Sequence, residues 1–117
     1  MLENIFRLDG KIIVITGATG LLGKKHAEAI ACYGGIPVLL DLSKHSVDKL
    51  AAELNEKYKA GSIGFAVDIT NENAIQNNVK EIVARFGKID GLVNNAANNP
   101  KVENSDEVNF SRLENFS

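Results

Sequence analysis

Four short apolar runs alternate with three longer segments of mixed polarity along this chain of 117 residues. A strand covered on both faces of a parallel sheet is apolar throughout, whereas a helix on that sheet is apolar along one stripe only. The alternation therefore predicts an α/β protein with a parallel sheet, helices on both of its faces and right-handed crossovers. The four runs are KIIVITG, IPVLLD, SIGFAVD and IDGLVNNAA.

The segments between the runs have the periodicity of helices. The first begins with LLGKKHAEAI and ends at Gly34 and Gly35, because glycine commonly ends a helix. Ser46 is the predicted N-cap of the second helix, and either Thr70 or Asn71 is that of the third. The predicted apolar stripes are Val47, Leu50, Ala51, Leu54 and Tyr58 in the second helix and Ile75, Val79, Ile82, Val83 and Phe86 in the third.

Composition and charge indicate an ordinary soluble domain. Apolar residues make up 44% of the chain and the formal net charge is −2, so no basic surface is expected for nucleic acid or an anionic membrane. The single cysteine, Cys32, excludes an intrachain disulfide, and its apolar neighbours predict a small buried side chain. Because the first residues carry charges where a secretory signal is apolar, and no run could span a membrane, the expected location is the cytoplasm.

A glycine-rich stretch, TGATGLLG, joins the first apolar run to the first helix. Such a loop lets the backbone approach a pyrophosphate, whose charge the first amides of the helix then bind. We expect Gly17 to make the turn, Gly20 to allow the close approach and Gly23 to let the helix lie against the strand. A tight turn needs glycine even without a ligand, so the loop alone leaves both roles open. Its place after the first strand predicts a Rossmann-type, doubly wound sheet with strand order 3-2-1-4.

Asp41 ends the second apolar run and follows the loop at about the spacing of a ribose-binding acid, roughly 20 residues. A carboxylate there accepts hydrogen bonds from the adenosine ribose and repels a 2′-phosphate. Neither Leu42 nor Ser43 supplies a compensating positive charge. The pattern favours NAD(H) over NADP(H), although an aspartate at this place also suits the capping of the next turn.

Three further polar residues follow strands and are expected at the same edge of the sheet. Asp68 ends the third run, where it suits either an adenine amino group or the cap of the next helix. Asn94 and Asn95 end the fourth run. They are expected to bond to the backbone at the strand exit and to offer polar contacts to a ribose. Open α/β sheets bind ligands at this edge.

Taken together, these motifs resemble the short-chain dehydrogenases/reductases. The motifs are TGATGLLG, Asp41, Asp68 with Ile69, and NNAA, and the resemblance extends over about residues 8–117. It implies that the loop binds the cofactor, that Asp41 binds the ribose, that Asp68 and Ile69 bind adenine, and that Asn94 to Ala96 lie beside the nicotinamide ribose. The implied cofactor contacts are Gly17, Thr19, Gly20, Leu21, Leu22, Gly23, Asp41, Asp68, Ile69, Asn94, Asn95 and Ala96.

Two positions depart from the main branch of that family. Ala97 stands where the asparagine motif usually ends in glycine, and Leu21 stands where the loop usually has its second glycine. The TGxxGxxG form resembles the extended branch, which acts on nucleotide sugars, whereas NNAA resembles the main branch. The mixture is similar to bacterial oxidoreductases of flagellin and surface-polysaccharide modification.

The catalytic residues of that family have no counterpart here. Its Tyr-x-x-x-Lys pair would follow the fourth strand, but the two tyrosines, Tyr33 and Tyr58, are followed four residues later by Pro37 and Ser62. The two histidines are expected to be solvated, and no metal site is expected. No catalytic residue is therefore assigned, and the chain alone is predicted to be inactive.

The predicted organisation is a dinucleotide-binding unit at residues 1–97 followed by a polar tail at 98–117. The resemblance implies the N-terminal part of an NAD-dependent oxidoreductase that acts on an alcohol or carbonyl substrate, with a sugar as one candidate. The alternative is a non-catalytic module that binds a nucleotide or docks to a partner. The free edge of the fourth strand predicts self-association.

Overall fold

The computed structural model describes residues 7–95 and confirms the predicted alternation of strands and helices. Each apolar run forms a strand, and each periodic segment forms a helix. The elements are β1 (Ile12–Thr16), α1 (Leu21–Cys32), β2 (Ile36–Asp41), α2 (Lys44–Tyr58), β3 (Ile63–Ala66), α3 (Glu72–Phe86) and β4 (Gly91–Asn94).

The strands form one parallel sheet in the order β3-β2-β1-β4, as predicted. Thr16, the last residue of β1, pairs with Leu40 of β2 on one side and with Asn94 of β4 on the other. From β1 the strand order runs to β2 and β3 on one side and to β4 on the other, so it reverses between β1 and β4. Open α/β sheets bind ligands in the crevice at such a point, outside the carboxyl ends of the strands.

Both faces of the sheet are covered, and different helices cover them. α1 and α2 pack on the face that carries Ile15 and Leu39. α3 packs on the opposite face, where its Ile82 meets Val14 and Val38. Successive side chains of a strand point to opposite faces, so β1 and β2 must be apolar at nearly every position.

The first turn of α2 differs from the prediction. Ser43, not Ser46, is the N-cap: its hydroxyl accepts a hydrogen bond from the Ser46 N–H at 3.1 Å. Ser43 has the extended backbone that a cap requires, with φ −95° and ψ 113°, whereas Ser46 already lies inside the helix. Asn71 caps α3 by accepting from the Ala74 N–H at 3.0 Å, which confirms one of the two predicted residues.

Three side chains are exposed or buried otherwise than predicted. Cys32 is exposed, because the inward face of α1 is formed by Ala27 and Ile30 and the helix ends at the cysteine. Val83 is 42% exposed, since it lies at the border of the stripe whose centre, Ile82, is buried. His26 is half-buried, and its Nδ1 is buried without a hydrogen-bond partner in the described part of the chain.

Some predictions fall beyond the residues that the structure describes. Ala96, Ala97 and the predicted tail at 98–117 lie outside them, and so does the proposed boundary between the tail and the folded unit. Among residues 7–95, none of the helices has the length and apolarity needed to cross a bilayer.

Candidate dinucleotide site

The glycine loop turns sharply between β1 and α1. Gly17 has a φ of +61°, a left-handed conformation that side chains other than glycine rarely adopt. The loop is tied to β2 by a hydrogen bond from the Ala18 N–H to the Leu40 carbonyl at 3.2 Å. It is closed internally by a bond from the Gly20 N–H to the Gly17 carbonyl, also at 3.2 Å. Gly17 therefore has the geometry expected for the turn.

The other two glycines of the loop differ in what surrounds them. A Cβ on Gly23 would overlap the Gly17 carbonyl oxygen and would lie 2.9 Å from the Cα of Ala18. Gly23 is thus required for the helix to lie against the loop. A Cβ on Gly20 would meet only the Gly17 carbonyl oxygen, at an ordinary 3.5 Å. Packing within the described chain therefore does not require glycine at position 20. The close approach of a ligand remains the predicted reason for glycine there.

The N-terminus of α1 is the one helix start in residues 7–95 that lacks a side-chain cap. Its N-cap is Gly20, and no acidic residue lies in its first turn. The first amides of a helix have no partner within the helix, and the helix dipole places positive charge there. Leu21 is 81% exposed and Leu22 is 55% exposed beside this end. The N-terminus of α1 is therefore suited to an anionic group such as a pyrophosphate.

Asp41 faces the glycine loop from the end of β2. Its Oδ2 accepts hydrogen bonds from Thr19, at 3.0 Å from the backbone N–H and at 2.6 Å from Oγ1. Its Oδ1 accepts from the Leu42 N–H at 2.9 Å. Burial raises the pKa of Asp41, but the bonds from the Thr19 hydroxyl, the Leu42 amide and the Thr19 amide together hold it below its ordinary value. Asp41 is thus a carboxylate at neutral pH.

Asp68 does not end the third strand, as the sequence predicted, because β3 stops at Ala66; Asp68 lies two residues further on and is exposed. Its Oδ1 accepts from Thr70, at 2.9 Å from the backbone N–H and at 2.6 Å from the hydroxyl. These bonds lower the pKa of Asp68. One carboxyl oxygen therefore shapes the turn into α3, as the capping alternative expects. Ile69, the other residue predicted for adenine, lines a cavity on the α3 face.

The two asparagines at the end of β4 have different surroundings. The Oδ1 of Asn94 accepts a hydrogen bond from the Thr16 hydroxyl at 2.8 Å, which joins the side chains at the ends of β4 and β1. The Nδ2 of Asn95 is buried and has no hydrogen-bond partner among the described residues. A buried amide without a partner is costly.

The structure thus brings together most of the predicted site at one edge of the sheet. The loop, Asp41 and Asn94 are linked through Thr19 and Thr16. Sequence reasoning gave Thr16 no role of its own and did not foresee that Thr19 bonds to Asp41. It also missed Asp90, whose Oδ2 accepts from the Ile12 N–H at 2.8 Å. Single-sequence spacing carries no signal for such pairs, because the partners lie far apart in the chain.

Within residues 7–95, a cavity lies on either side of the site. One, of about 100 Å³, lies between the sheet and α3, and its apolar wall includes the buried Asn78, whose Nδ2 has no hydrogen-bond partner within the described residues. The other, of about 220 Å³, lies beside Thr19 and is polar. Its lining residues are Thr19, Lys24, His45, Ser46, Lys49, Leu50 and Glu53. We call this second cavity the basic pocket.

Comparison with known proteins identifies the family. The chain matches the family model described as short chain dehydrogenase over residues 11–116, so it belongs to the short-chain dehydrogenases/reductases. It is similar to the meso-2,3-butanediol dehydrogenase of Serratia marcescens, with 37% identity over 90 residues. That alignment covers 77% of this chain and 35% of the dehydrogenase, so the chain spans about a third of its relative's length.

Solved structures confirm the Rossmann-type fold. L-sorbose reductase from Gluconobacter frateurii, complexed with NADPH and L-sorbose, aligns with a TM-score of 0.73 and 31% identity over 76% of this chain and 34% of that one. The 3-ketoacyl-(acyl-carrier-protein) reductase from Brucella melitensis, complexed with NADH, aligns with a TM-score of 0.65 and 32% identity over 73% and 33%. Both neighbours therefore contain a bound nicotinamide dinucleotide.

Proposed function

We propose that this chain is the NAD(H)-binding part of a short-chain oxidoreductase that transfers hydride between nicotinamide and an alcohol or carbonyl substrate. The observation that carries the proposal is the Asp41 carboxylate, bonded to the glycine loop at the open end of the crevice. This places a negative charge beside a helix N-terminus that has no acidic residue and no side-chain cap of its own. The two groups suit a ribose and a pyrophosphate, respectively.

Each predicted residue has a role in holding the dinucleotide. The loop and the first amides of α1 bind the pyrophosphate, with Leu21 and Leu22 exposed beside it. Asp41 accepts hydrogen bonds from the adenosine ribose. Asp68 and Ile69 border the adenine. Asn94 and Asn95, with Ala96 beyond the described residues, contact the nicotinamide-side ribose. When bound, the cofactor supplies a nicotinamide carbon that accepts or donates hydride.

The preference for NAD(H) follows from charge. A 2′-phosphate near Asp41 would bring two negative groups together in a partly buried place, where their repulsion is less screened than in bulk water. The hydrogen bonds that lower the pKa of Asp41 keep this charge in place at neutral pH. NADP(H) is therefore expected to bind more weakly.

Binding is proposed for the chain as given, and turnover is not. Neither tyrosine is followed by a lysine at the family's spacing, so the proton donor that accompanies hydride transfer is missing from these 117 residues. A sugar-like substrate, a place in flagellin or polysaccharide modification, and a cytoplasmic location complete the proposal.

Calorimetric titration tests the proposal directly. The chain is expected to bind NAD⁺ and NADH, and to bind NADP⁺ and NADPH more weakly. Gly17→Val is the matched loop variant, because valine cannot adopt the left-handed turn, and it should abolish binding of all four nucleotides. Equal or tighter binding of NADP(H) would contradict the Asp41 argument.

The DNA sequence that follows the codon for Ser117 distinguishes this proposal from the alternative, a non-catalytic module. A reading frame that continues past Ser117 and encodes Tyr-x-x-x-Lys would support the oxidoreductase. Dinucleotide oxidation or reduction by the purified 117-residue chain that is lost in Gly17→Val would contradict the proposed inactivity.

A further inference from the structure

A buried polar side chain without a partner lines the cavity between the sheet and α3, which we call the α3 cavity. Its floor includes Val14 of β1 and Leu92 of β4, which are paired neighbours in the sheet. Its opposite wall is α3, where Asn78 lies among apolar residues such as Ile75 and Ile82. Asn78 is only 3% exposed, and its Nδ2 is buried without a hydrogen-bond partner among the described residues.

Asparagine at position 78 is unfavourable for the fold itself. Positions 75, 78, 79 and 82 follow the spacing of the apolar stripe of a helix, and the other three are Ile75, Val79 and Ile82. Asparagine is a weaker helix former than leucine, and a buried amide without an acceptor loses its hydrogen bonds to water without replacement. Leucine at this position would remove both costs. A ligand whose acceptor atom meets Nδ2 would instead satisfy the amide.

The polarity of the wall defines the chemistry of such a ligand. Thr16 is the other polar residue of the wall in the described part of the chain, and its hydroxyl donates to Asn94. A buried water is usually held by about two to four polar groups, so the α3 cavity suits water poorly. It suits an apolar molecule with a single hydrogen-bond acceptor, since the aliphatic side chains contact the body of the molecule and Nδ2 donates to its oxygen.

The size and course of the cavity define the ligand further. The volume is about 100 Å³. A cavity of about 150 Å³ takes benzene, so a molecule of about four to six non-hydrogen atoms fits here. The cavity extends from Ile69, which follows β3, to Ile89, which precedes β4. Because the strands are parallel, these two residues lie at opposite edges of the sheet. The cavity therefore runs along the layer between α3 and the sheet, whereas the dinucleotide site lies along the carboxyl edge.

We propose that the α3 cavity is a second ligand site, which binds a small apolar molecule with one carbonyl or ether oxygen and orients that oxygen through Nδ2 of Asn78. The inference goes beyond the proposed function and does not depend on it. Of the described residues proposed to hold the dinucleotide, only Thr16's neighbour across the cavity mouth, Ile69, lines the α3 cavity.

NMR titration of the 117-residue chain tests the site with two matched probes, cyclopentanone and methylenecyclopentane. The probes share a five-membered ring and differ only in an oxygen in place of a CH₂ group. Cyclopentanone should shift the side-chain amide resonances of Asn78 and should show nuclear Overhauser contacts to that amide and to Ile82. The ratio of the two dissociation constants reports the hydrogen bond, because the contribution of the ring cancels in a comparison between variants.

Two variants assign the hydrogen bond to Asn78. Asn78→Leu removes the donor and keeps the number of non-hydrogen atoms in the side chain. It should weaken cyclopentanone binding relative to methylenecyclopentane by about 2- to 10-fold, which corresponds to one hydrogen bond between neutral groups. Asn77→Leu is the matched control, because Asn77 is exposed on the same helix, and it should leave the ratio unchanged. If Asn78→Leu does not fold by circular dichroism, the Overhauser contacts in the wild type decide the question.

Several results would overturn the proposal. One is wild-type protein that binds no cyclopentanone at concentrations up to about 10 mM. Another is a bound ketone that does not contact Asn78, or a ratio that is the same in Asn78→Leu as in the wild type. Overhauser contacts between the Asn78 amide and residues 96–117 without any probe would assign the cavity to that segment instead. Release of cyclopentanone by NAD⁺ would place the ketone in the dinucleotide site, whereas cyclopentanone binding in a chain that binds no NAD⁺ would support this inference and contradict only the proposed function.

Discussion

At the scale of single residues, two glycines of the loop have different expected roles: Gly23 allows α1 to pack on the loop, and Gly20 allows a ligand to approach. Gly23→Ala would drive a Cβ into backbone atoms of the loop, which cannot move aside without displacing α1. We expect a loss of about 1–3 kcal/mol in the free energy of unfolding, the usual cost of overpacking. Gly20→Ala adds a Cβ at an ordinary distance and should cost less than about 1 kcal/mol.

Urea unfolding and nucleotide titration of the same two variants check this separation. Gly20→Ala should remain nearly as stable as the wild type but lose dinucleotide affinity, because its Cβ occupies the space through which a phosphate approaches. Full affinity in Gly20→Ala would contradict the ligand role of position 20. Full stability in Gly23→Ala would contradict the close packing of α1 on the loop.

Because Asp41 is ionised in the folded chain, we predict that the free energy of unfolding depends on pH. Its pKa is lowered in the folded chain, so its contribution to stability is present above the unfolded value of about 3.9 and is lost as the pH falls through the folded value. Asp68 and Asp90 also have lowered pKa values and contribute in the same range. Asp41→Asn should therefore reduce the acid dependence of unfolding without abolishing it.

Urea unfolding of wild type and Asp41→Asn between neutral pH and about pH 3 measures this difference. The stability gap between the two proteins should be largest at neutral pH and should narrow as the pH falls. A gap that stays constant over the whole range would show that the Asp41 carboxylate is not stabilised by Thr19 and Leu42.

At the scale of the elements, the start of α2 is defined by one of two nearby serines. Ser43 accepts the capping hydrogen bond, whereas Ser46 donates its amide from inside the first turn. Ser43→Ala should cost about 1 kcal/mol of stability, the usual loss of an N-cap. Ser46→Ala is the matched control and should be neutral or slightly stabilising, because alanine is the better helix former. Urea unfolding measures both variants. A larger loss of stability in Ser46→Ala than in Ser43→Ala would support Ser46 as the N-cap, as the sequence predicted.

The elements were largely predictable because their signals are local. Each strand of the sheet needs two apolar faces and each helix needs one, so periodicity alone located all seven elements. The N-cap of α2 was predicted wrongly because Ser43 and Ser46 are both serines near the start of the helix, and either suits a cap. Only the extended backbone conformation at Ser43 distinguishes them. Cys32 was misjudged for a similar reason, since its neighbours are apolar but the helix ends there.

At the scale of the whole molecule, β4 forms one edge of the sheet in the described residues. All four of its residues are only half-buried, whereas β1 is buried at all but one position. An uncovered edge strand offers unpaired backbone groups to another chain. We therefore predict that the chain self-associates through β4, and that sedimentation velocity shows an average mass that rises with concentration.

Hydrogen exchange provides the control for this prediction, because β3 forms the other edge of the sheet among residues 7–95. Amides of β4 should become more protected as the concentration rises, and amides of β3 should not. A single monomeric species at every concentration would contradict self-association. Protection of β3 instead would contradict the assignment of the surface.

The sequence by itself determined the family and the order of the elements, because both depend on local patterns. It also predicted the strand order, because a glycine loop after the first strand is typical of one sheet topology. It also marked Asp41 and the glycine loop as parts of one site. Only the tertiary structure decided how those parts are joined: Thr19 to Asp41 across 22 residues, and Thr16 to Asn94 across 78. Parallel strands bring their carboxyl ends together regardless of separation in the chain. The orientation of each side chain at that edge therefore follows from the packed sheet and not from spacing.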